Sequence, residues 1–278
     1  MTWTAAAPKI LTRHQLPLLS HLRKAPHPLY SLGCTPDADS LCIGIVGARK
    51  ASLHSLGVGA YLARELARAG VWVVSGLAYG VDAAAHRGAL AVGGKTLAVL
   101  AHGLDTVYPA AHRQLARKIV SSGGGLLSQF SSGTPARRPH FPERNRTLAG
   151  LCRGIVVVEA AERSGSLITA GFAADEGREV FMVPGPFGAK AFAGSHRWIA
   201  QGAHLLHSVD DLFAEWKLPP NVPMQPSLLS ERCQRFQIYT VGDFYDGSGS
   251  AALVALESAL STGECIEWGS QAFLYLGL

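Results

Sequence analysis

The run CIGIVGARKASLHSLGVGAYLARELARAGVWVVS, residues 42–75, decides the fold. It opens on an uncharged stretch from Cys42 to Val46 and turns at Gly47-Ala48-Arg49-Lys50. From Leu53 to Ala69 apolar residues recur at helical spacing, and the run closes on a second β-branched stretch, Val71 to Ser75. Strand, helix and strand in that order specify parallel strands joined by a crossover. Apolar residues follow one another within these strands instead of alternating, as expected where helices cover both faces.

The same alternation continues outward. Further strands are expected at Thr96 to Ala101, Gly125 to Gln129, Ile155 to Val158 and Val180 to Val183. Helical patterns fall at Val81 to Val92, Pro109 to Ser121, Arg144 to Leu151, Leu167 to Glu176 and His196 to Gln201. Ser52, Asp82 and Ser166 stand near helix starts, where side-chain oxygens cap free amides, and Gly70, Gly93 and Gly177 stand near the ends. The expected fold class is α/β, a doubly wound and mostly parallel sheet spanning residues 41–216. Residues 1–40 read as a short N-terminal extension with too few periodic apolar positions to specify an element. Residues 217–227 read as a Pro-rich linker. Residues 228–278 read as a small C-terminal module, helical over 251–260 with a hairpin from Ile266 to Leu276 around Gly269.

Composition bounds the function. The 278 residues are 48% hydrophobic and 16% charged, enough apolar material for a large core and far from a disordered chain. A net charge of +5 favours anionic partners without approaching a histone-like tail. Cys34, Cys42, Cys152, Cys233 and Cys265 are odd in number and contain no C-x-x-C pair, which argues against a disulfide framework or structural zinc. Prolines at 8, 17, 26 and 28 interrupt the first 30 residues, and no run of 18 apolar residues follows. The expectation is a cytoplasmic protein that does not engage a membrane.

In an open parallel sheet, ligands bind beyond the carboxyl ends of the strands. After the first strand, Gly47-Ala48-Arg49-Lys50 delivers two cations to a helix N-terminus, itself favourable to anions. It lacks the G-K-[ST] ending of a Walker A loop, and it is no dinucleotide fingerprint, so no cofactor is implied. After the second strand, the two glycines of Ser75-Gly76-Leu77-Ala78-Tyr79-Gly80 permit close backbone approach to a ligand. Asp82 beyond them caps the next helix more readily than it catalyses, and His86 at i+4 is placed to pair with it. After the fifth strand, Ser164-Gly165-Ser166 brings hydroxyls and amides to a helix start, either a phosphate nest or an ordinary N-cap. Residues 137–146 concentrate Arg137, Arg138, Arg144 and Arg146 with Phe141. Two prolines there are expected to keep the chain extended, so that arginine forks meet phosphates and the ring meets a base. The alternative is a solvated basic loop around a core Phe.

Taken together, Gly44-Ile45-Val46-Gly47-Ala48-Arg49, the Ser75 to His86 segment, Tyr108-Pro109, Phe141-Pro142-x-Arg144-Asn145-Arg146, Ser164 to Ala170 and Val183-Pro184-Gly185 resemble the DNA processing protein A family, DprA or Smf. The ordered set covers about residues 28–207. The resemblance implies an extended Rossmann-like domain, single-stranded DNA as ligand, a homodimer, and a role in loading the RecA recombinase during natural transformation. It assigns Arg49 to phosphate gripping, with Gly47 and Lys50 beside it. Ser75 and Gly76 fall in a binding loop, Arg138, with Arg137 before it, matches the family's basic residue, and Phe141 matches its base-stacking aromatic. Arg144, Asn145 and Arg146 shape the pocket, and Ser164, Gly165, Ser166 and Thr169 form the SGS-x-x-T loop. It also implies that Ala252 to Tyr275 is the end of a degenerate winged helix. Tyr79 stands where the family usually has arginine, Gln129 where it has glutamate, and His196 where it has asparagine. A nucleotide-processing enzyme such as a phosphoribohydrolase is the competing reading, because related folds bind nucleotides at the same sheet edge. Its Pro-Gly-Gly-x-Gly-Thr signature is absent, and Glu159 with Glu162 is the only carboxylate pair near a loop.

Overall fold

The structure, a computed structural model, describes residues 7–12, 15–20, 22, 25–219, 238–240, 259–260, 265–269 and 272–275. In chain order the elements are β1 (Lys9–Leu11), α1 (Pro17–Ser20), β2 (Leu29–Gly33), β3 (Cys42–Val46), α2 (Leu53–Arg68) and β4 (Trp72–Ser75). There follow α3 (Val81–Ala91), β5 (Thr96–Leu100), α4 (Arg113–Ser121), β6 (Gly125–Ser128), α5 (His140–Leu151), β7 (Gly154–Val157) and α6 (Gly165–Asp175). β8 (Glu179–Met182), α7 (Ala193–Ala200), β9 (His204–Leu205) and α8 (Val209–Glu215) complete the main body. Three short strands come last: β10 (Ile238–Thr240), β11 (Cys265–Gly269) and β12 (Ala272–Tyr275).

Nine strands form one sheet in the order β1-β2-β6-β5-β4-β3-β7-β8-β9. From β6 to β9 every pairing is parallel. The chain starts that array at β3, winds outward through β4, β5 and β6, then returns to the other side of β3 for β7, β8 and β9. The direction reverses between β3 and β7, which opens a crevice between the loops that follow them. All residues of β3, β4, β5, β6 and β7 are buried, in keeping with their uninterrupted apolar reading. One face packs Leu148 and Ala149 of α5, Cys152 just after it, and Ala170 and Ala173 of α6. The other packs Leu62, Ala63 and Leu66 of α2, Ala85 and Ala89 of α3, and Leu212 and Phe213 of α8.

Several expectations change. The first 40 residues, which offered too few periodic apolar positions to specify an element, supply two strands: β2 pairs antiparallel with β6, and β1 with β2. Each is short, and its neighbours come from distant sequence, so local pattern carries little of their signal. Helix α5 begins at His140, four residues earlier than expected, and holds Phe141 and Pro142 in its first turn. Proline is compatible with that turn because the first amides have no intrahelical acceptor. The ring is therefore presented by a helix start and not by an extended loop. In the C-terminal part β11 and β12 pair antiparallel with a register shift near Gly269, and β10 joins β12. Ile266 of β11 is 2% exposed and packs on Leu56, Ala60 and Ala84 of α2 and α3. Most of the 217–227 segment and residues 251–258 lie outside the described residues.

Candidate functional site

Two openings lie beyond the carboxyl ends of β3, β4, β5 and β7. The larger, about 550 Å³, sits at the point where the strand order reverses. Arg49, Lys50, Phe141, Arg144, Asn145, Arg163 and the Ser164-Gly165-Ser166 turn line it, with Asp82, Glu159 and Thr169. The smaller, about 30 Å³, lies beside it between Arg49, Gly76, Tyr79, Tyr108, Phe141 and Arg144. That volume suits a water and is far too small for a base.

Arg144 forms the floor of both. It is 5% exposed, and its Nη1 donates to the carbonyls of Gly76 (2.5 Å) and Val99 (2.6 Å) while Nε donates to Asn145 Oδ1 (3.0 Å). Nη2 has no hydrogen-bond partner among the described residues. Its counter-charge is Asp82, whose Oδ2 accepts from the amides of Gly76 (3.1 Å) and Ala78 (3.3 Å). Burial pushes the Asp82 carboxyl up and the Arg144 guanidinium down from its usual value, each against the attraction of the other. The expected cap by Asp82 on its own helix is not made. The carboxylate reaches back to pin the loop before α3, and His86 bonds through Nδ1 to Thr96 Oγ1 (2.7 Å) instead of to Asp82. Within that loop Leu77 holds a left-handed φ of 57°, and its carbonyl accepts from His112 Nδ1 (2.8 Å). A backbone carbonyl only accepts, so His112 carries its proton on Nδ1.

Arg49, Lys50 and Arg163 are exposed at the rim, and none forms an ion pair among the described residues. The Arg49 guanidinium carbon lies 5.2 Å from the centre of the half-buried Phe141 ring, with Arg144 at 5.9 Å and the Tyr108 ring edge-on at 6.1 Å. Glu159 is 3% exposed and accepts from Ser52 at its amide (3.1 Å) and hydroxyl (3.0 Å), which anchors the start of α2. Ser164 caps α6 by accepting from the Ser166 amide (3.4 Å), and the two hydroxyls lie 2.7 Å apart. Asn145 Nδ2 donates to the Gly165 carbonyl (3.4 Å), tying α5 to this turn.

The sequence-selected residues do not all meet here. Gly47, Arg49, Lys50, Phe141, Arg144, Asn145, Ser164, Gly165, Ser166 and Thr169 share the larger cleft. Gly76 lies on the smaller opening. Ser75 is fully buried and donates to the Ile45 carbonyl (2.6 Å), so it braces β4 against β3. Arg137 and Arg138 are exposed before α5 and are not on the cleft wall. Arg146 turns away to a separate groove. Arg163 went unselected, although its place just before Ser164 was a legible signal. Of the family departures, Tyr79 is half exposed edge-on to His112, Gln129 accepts from Thr147 Oγ1 (2.5 Å), and His196 Nε2 lies 3.0 to 3.2 Å from the backbone of Gly185.

The Rossmann-like sheet carries at its switch point a cleft with Arg49, Lys50 and Arg163 on the rim, none ion-paired among the described residues, and the Phe141 ring on its wall. Residues 10–217 match the family described as DNA recombination-mediator protein A, and the chain belongs to that family. It is 43% identical over 173 residues to Protein Smf of Escherichia coli strain K12, covering 62% of this chain and 46% of that one. It is 47% identical over 145 residues to DNA processing protein DprA of Streptococcus pneumoniae, covering 52% and 51%. The chain thus spans about half the length of these relatives. The X-ray structure of the S. pneumoniae DprA superposes with a TM-score of 0.65 at 40% identity, over 71% of this chain and 69% of that one. DNA processing protein A of Helicobacter pylori, described for its single-stranded DNA binding mode, superposes at 0.71 with 26% identity over 78% and 98%.

Proposed function

We propose that this chain binds single-stranded DNA across the cleft at the switch point, with residues 41–216 as the DNA-binding domain. The observation that carries the reading is the convergence of Arg49, Lys50 and Arg163, none of them ion-paired among the described residues, on an opening that also presents the Phe141 ring. Arg49 stands over that ring. An incoming base takes its place, and the released guanidinium turns to the phosphate, so stacking and charge neutralisation occur together. The amides and hydroxyls at the start of α6 receive a second phosphate. Both carboxylates of the cleft are engaged by the scaffold, Asp82 by two loop amides and Glu159 by Ser52, which favours a binding role over acid–base catalysis. Family membership supports the wider role: a cytoplasmic homodimer that protects incoming strands and helps load the RecA recombinase during transformation.

Fluorescence anisotropy with single strands and duplexes over a range of salt tests this. Arg49→Ala is expected to weaken single-strand binding and to flatten the salt slope by about 0.7 for the lost phosphate contact. Phe141→Ala is expected to cost about 1–3 kcal/mol with little change of slope. Wild-type affinity in Arg49→Ala, or equal affinity for duplex, overturns the assignment.

A further inference from the structure

Helix α5 has an opening on each side. Opposite the main cleft lies a groove of about 350 Å³ walled by Pro26, Pro142 and Phe172, with Arg146, Glu143 and Gln129. Pro142 lines both openings and is their common wall. The Arg146 guanidinium carbon sits over the Phe172 ring, 4.7 Å from its centre. It makes no hydrogen bond or ion pair among the described residues, although Glu143 lies three residues back on the same helix. Glu143 is engaged elsewhere, its Oε2 accepting from Gln129 Nε2 (3.2 Å). A half-buried guanidinium stacked on one face, with its N–H edge unused, presents a flat surface for a base and a fork for a phosphate.

Building on the proposed cleft, we propose that this groove is a second nucleotide subsite, occupied by the same DNA strand after it crosses Pro142. The phosphate lies at the N–H edge of Arg146 that points away from the Glu143 carboxylate, which repels it. The base stacks on the free face of the guanidinium, between the two prolines. No other described cation lines the groove, so its contribution to affinity rests on Arg146. The strand passes around the start of α5 and touches both its sides, which makes affinity depend on strand length.

The test compares oligothymidylates of about 4 and about 10 nucleotides against the whole protein, by anisotropy at several salt concentrations. Arg146→Ala should leave the short strand within about twofold of wild type and weaken the long one about 5- to 20-fold, with a slope reduced by about 0.7. Arg146→Lys, which keeps the charge and loses the flat stack, should recover the slope and only part of the affinity. Equal effects of Arg146→Ala on both lengths, or none on either, refute the subsite. Arg49→Ala separates this from failure of the cleft: it should weaken both lengths, and if it weakens neither, the cleft assignment falls. In that case a loss confined to the long strand in Arg146→Ala would still support the groove. Far-ultraviolet circular dichroism and a denaturation midpoint like wild type confirm that each variant is folded.

Discussion

At the scale of single residues, Arg144 links fold to function. The sequence placed it in an arginine-rich segment, where a cation is ordinarily solvated, yet it is 5% exposed with its charge set against Asp82 and two main-chain carbonyls. Removing one partner of such a buried pair leaves the other uncompensated. Arg144→Ala should therefore destabilise the fold by about 3–5 kcal/mol in urea denaturation. A loss under 1 kcal/mol would show that the pair is not structurally engaged. Gly76 belongs to the same arrangement, since a Cβ there would sit 2.4 Å from Arg144 Nη1. Residue type and spacing made Arg49, Phe141 and the serine turn legible. They left Arg144, Arg146 and Ser75 alike as binding candidates, because side-chain direction is set by helix phase and strand register. Successive residues on a helix point about 100° apart, so Arg144 and Arg146 reach opposite sides of α5.

Elements show where pattern suffices. The six parallel strands from β3 to β8 were expected within a residue or so of their observed limits, since an uncharged run bounded by turns has few other uses, whereas the two-residue β9, parallel to β8, was missed. Strands β1 and β2 were missed because their place is conferred by pairing, β2 on β6 and β1 on β2. The start of α5 was missed because Pro142 reads as a breaker, whereas in a first turn it is tolerated. Between α2 and α3 the packing is unusually close: a Cβ on Gly88 would lie 2.1 Å from the Ala60 carbonyl oxygen. Backbone cannot yield as a flexible side chain does, so Gly88→Ala should force the helices apart and cost about 1–3 kcal/mol. Denaturation against wild type measures it, and an unchanged midpoint would contradict this contact. Ile266 of β11 rests on the same helix pair, through Ala60 and Ala84.

For the whole molecule, buried histidines couple stability to pH. His86 is fully buried, its Nε2 has no hydrogen-bond partner among the described residues, and burial takes its pKa from 6.5 to about 3. Between those values the unfolded chain binds a proton that the folded protein refuses, so stability rises with pH and is lost on acidification. Burial lowers His102 and His112 as well, with the same sign. The raised Asp82 carboxyl works in the opposite direction above the ordinary carboxylate value, which moderates the effect at the acid end. Moving from pH 7 to pH 5 should lower the unfolding free energy by about 1–2 kcal/mol, and His86→Gln should remove part of that slope. A midpoint independent of pH over this interval would refute the assignment. The sequence by itself determined the α/β class, the parallel core and the loops that face a ligand, because apolar runs, helical spacing and turn residues act over a few neighbours. Tertiary structure alone decided which loops converge. The reversal between β3 and β7 brings the residue 49 loop beside the turn at 163–166, more than a hundred positions away, and burial decides which cations stay free for a phosphate.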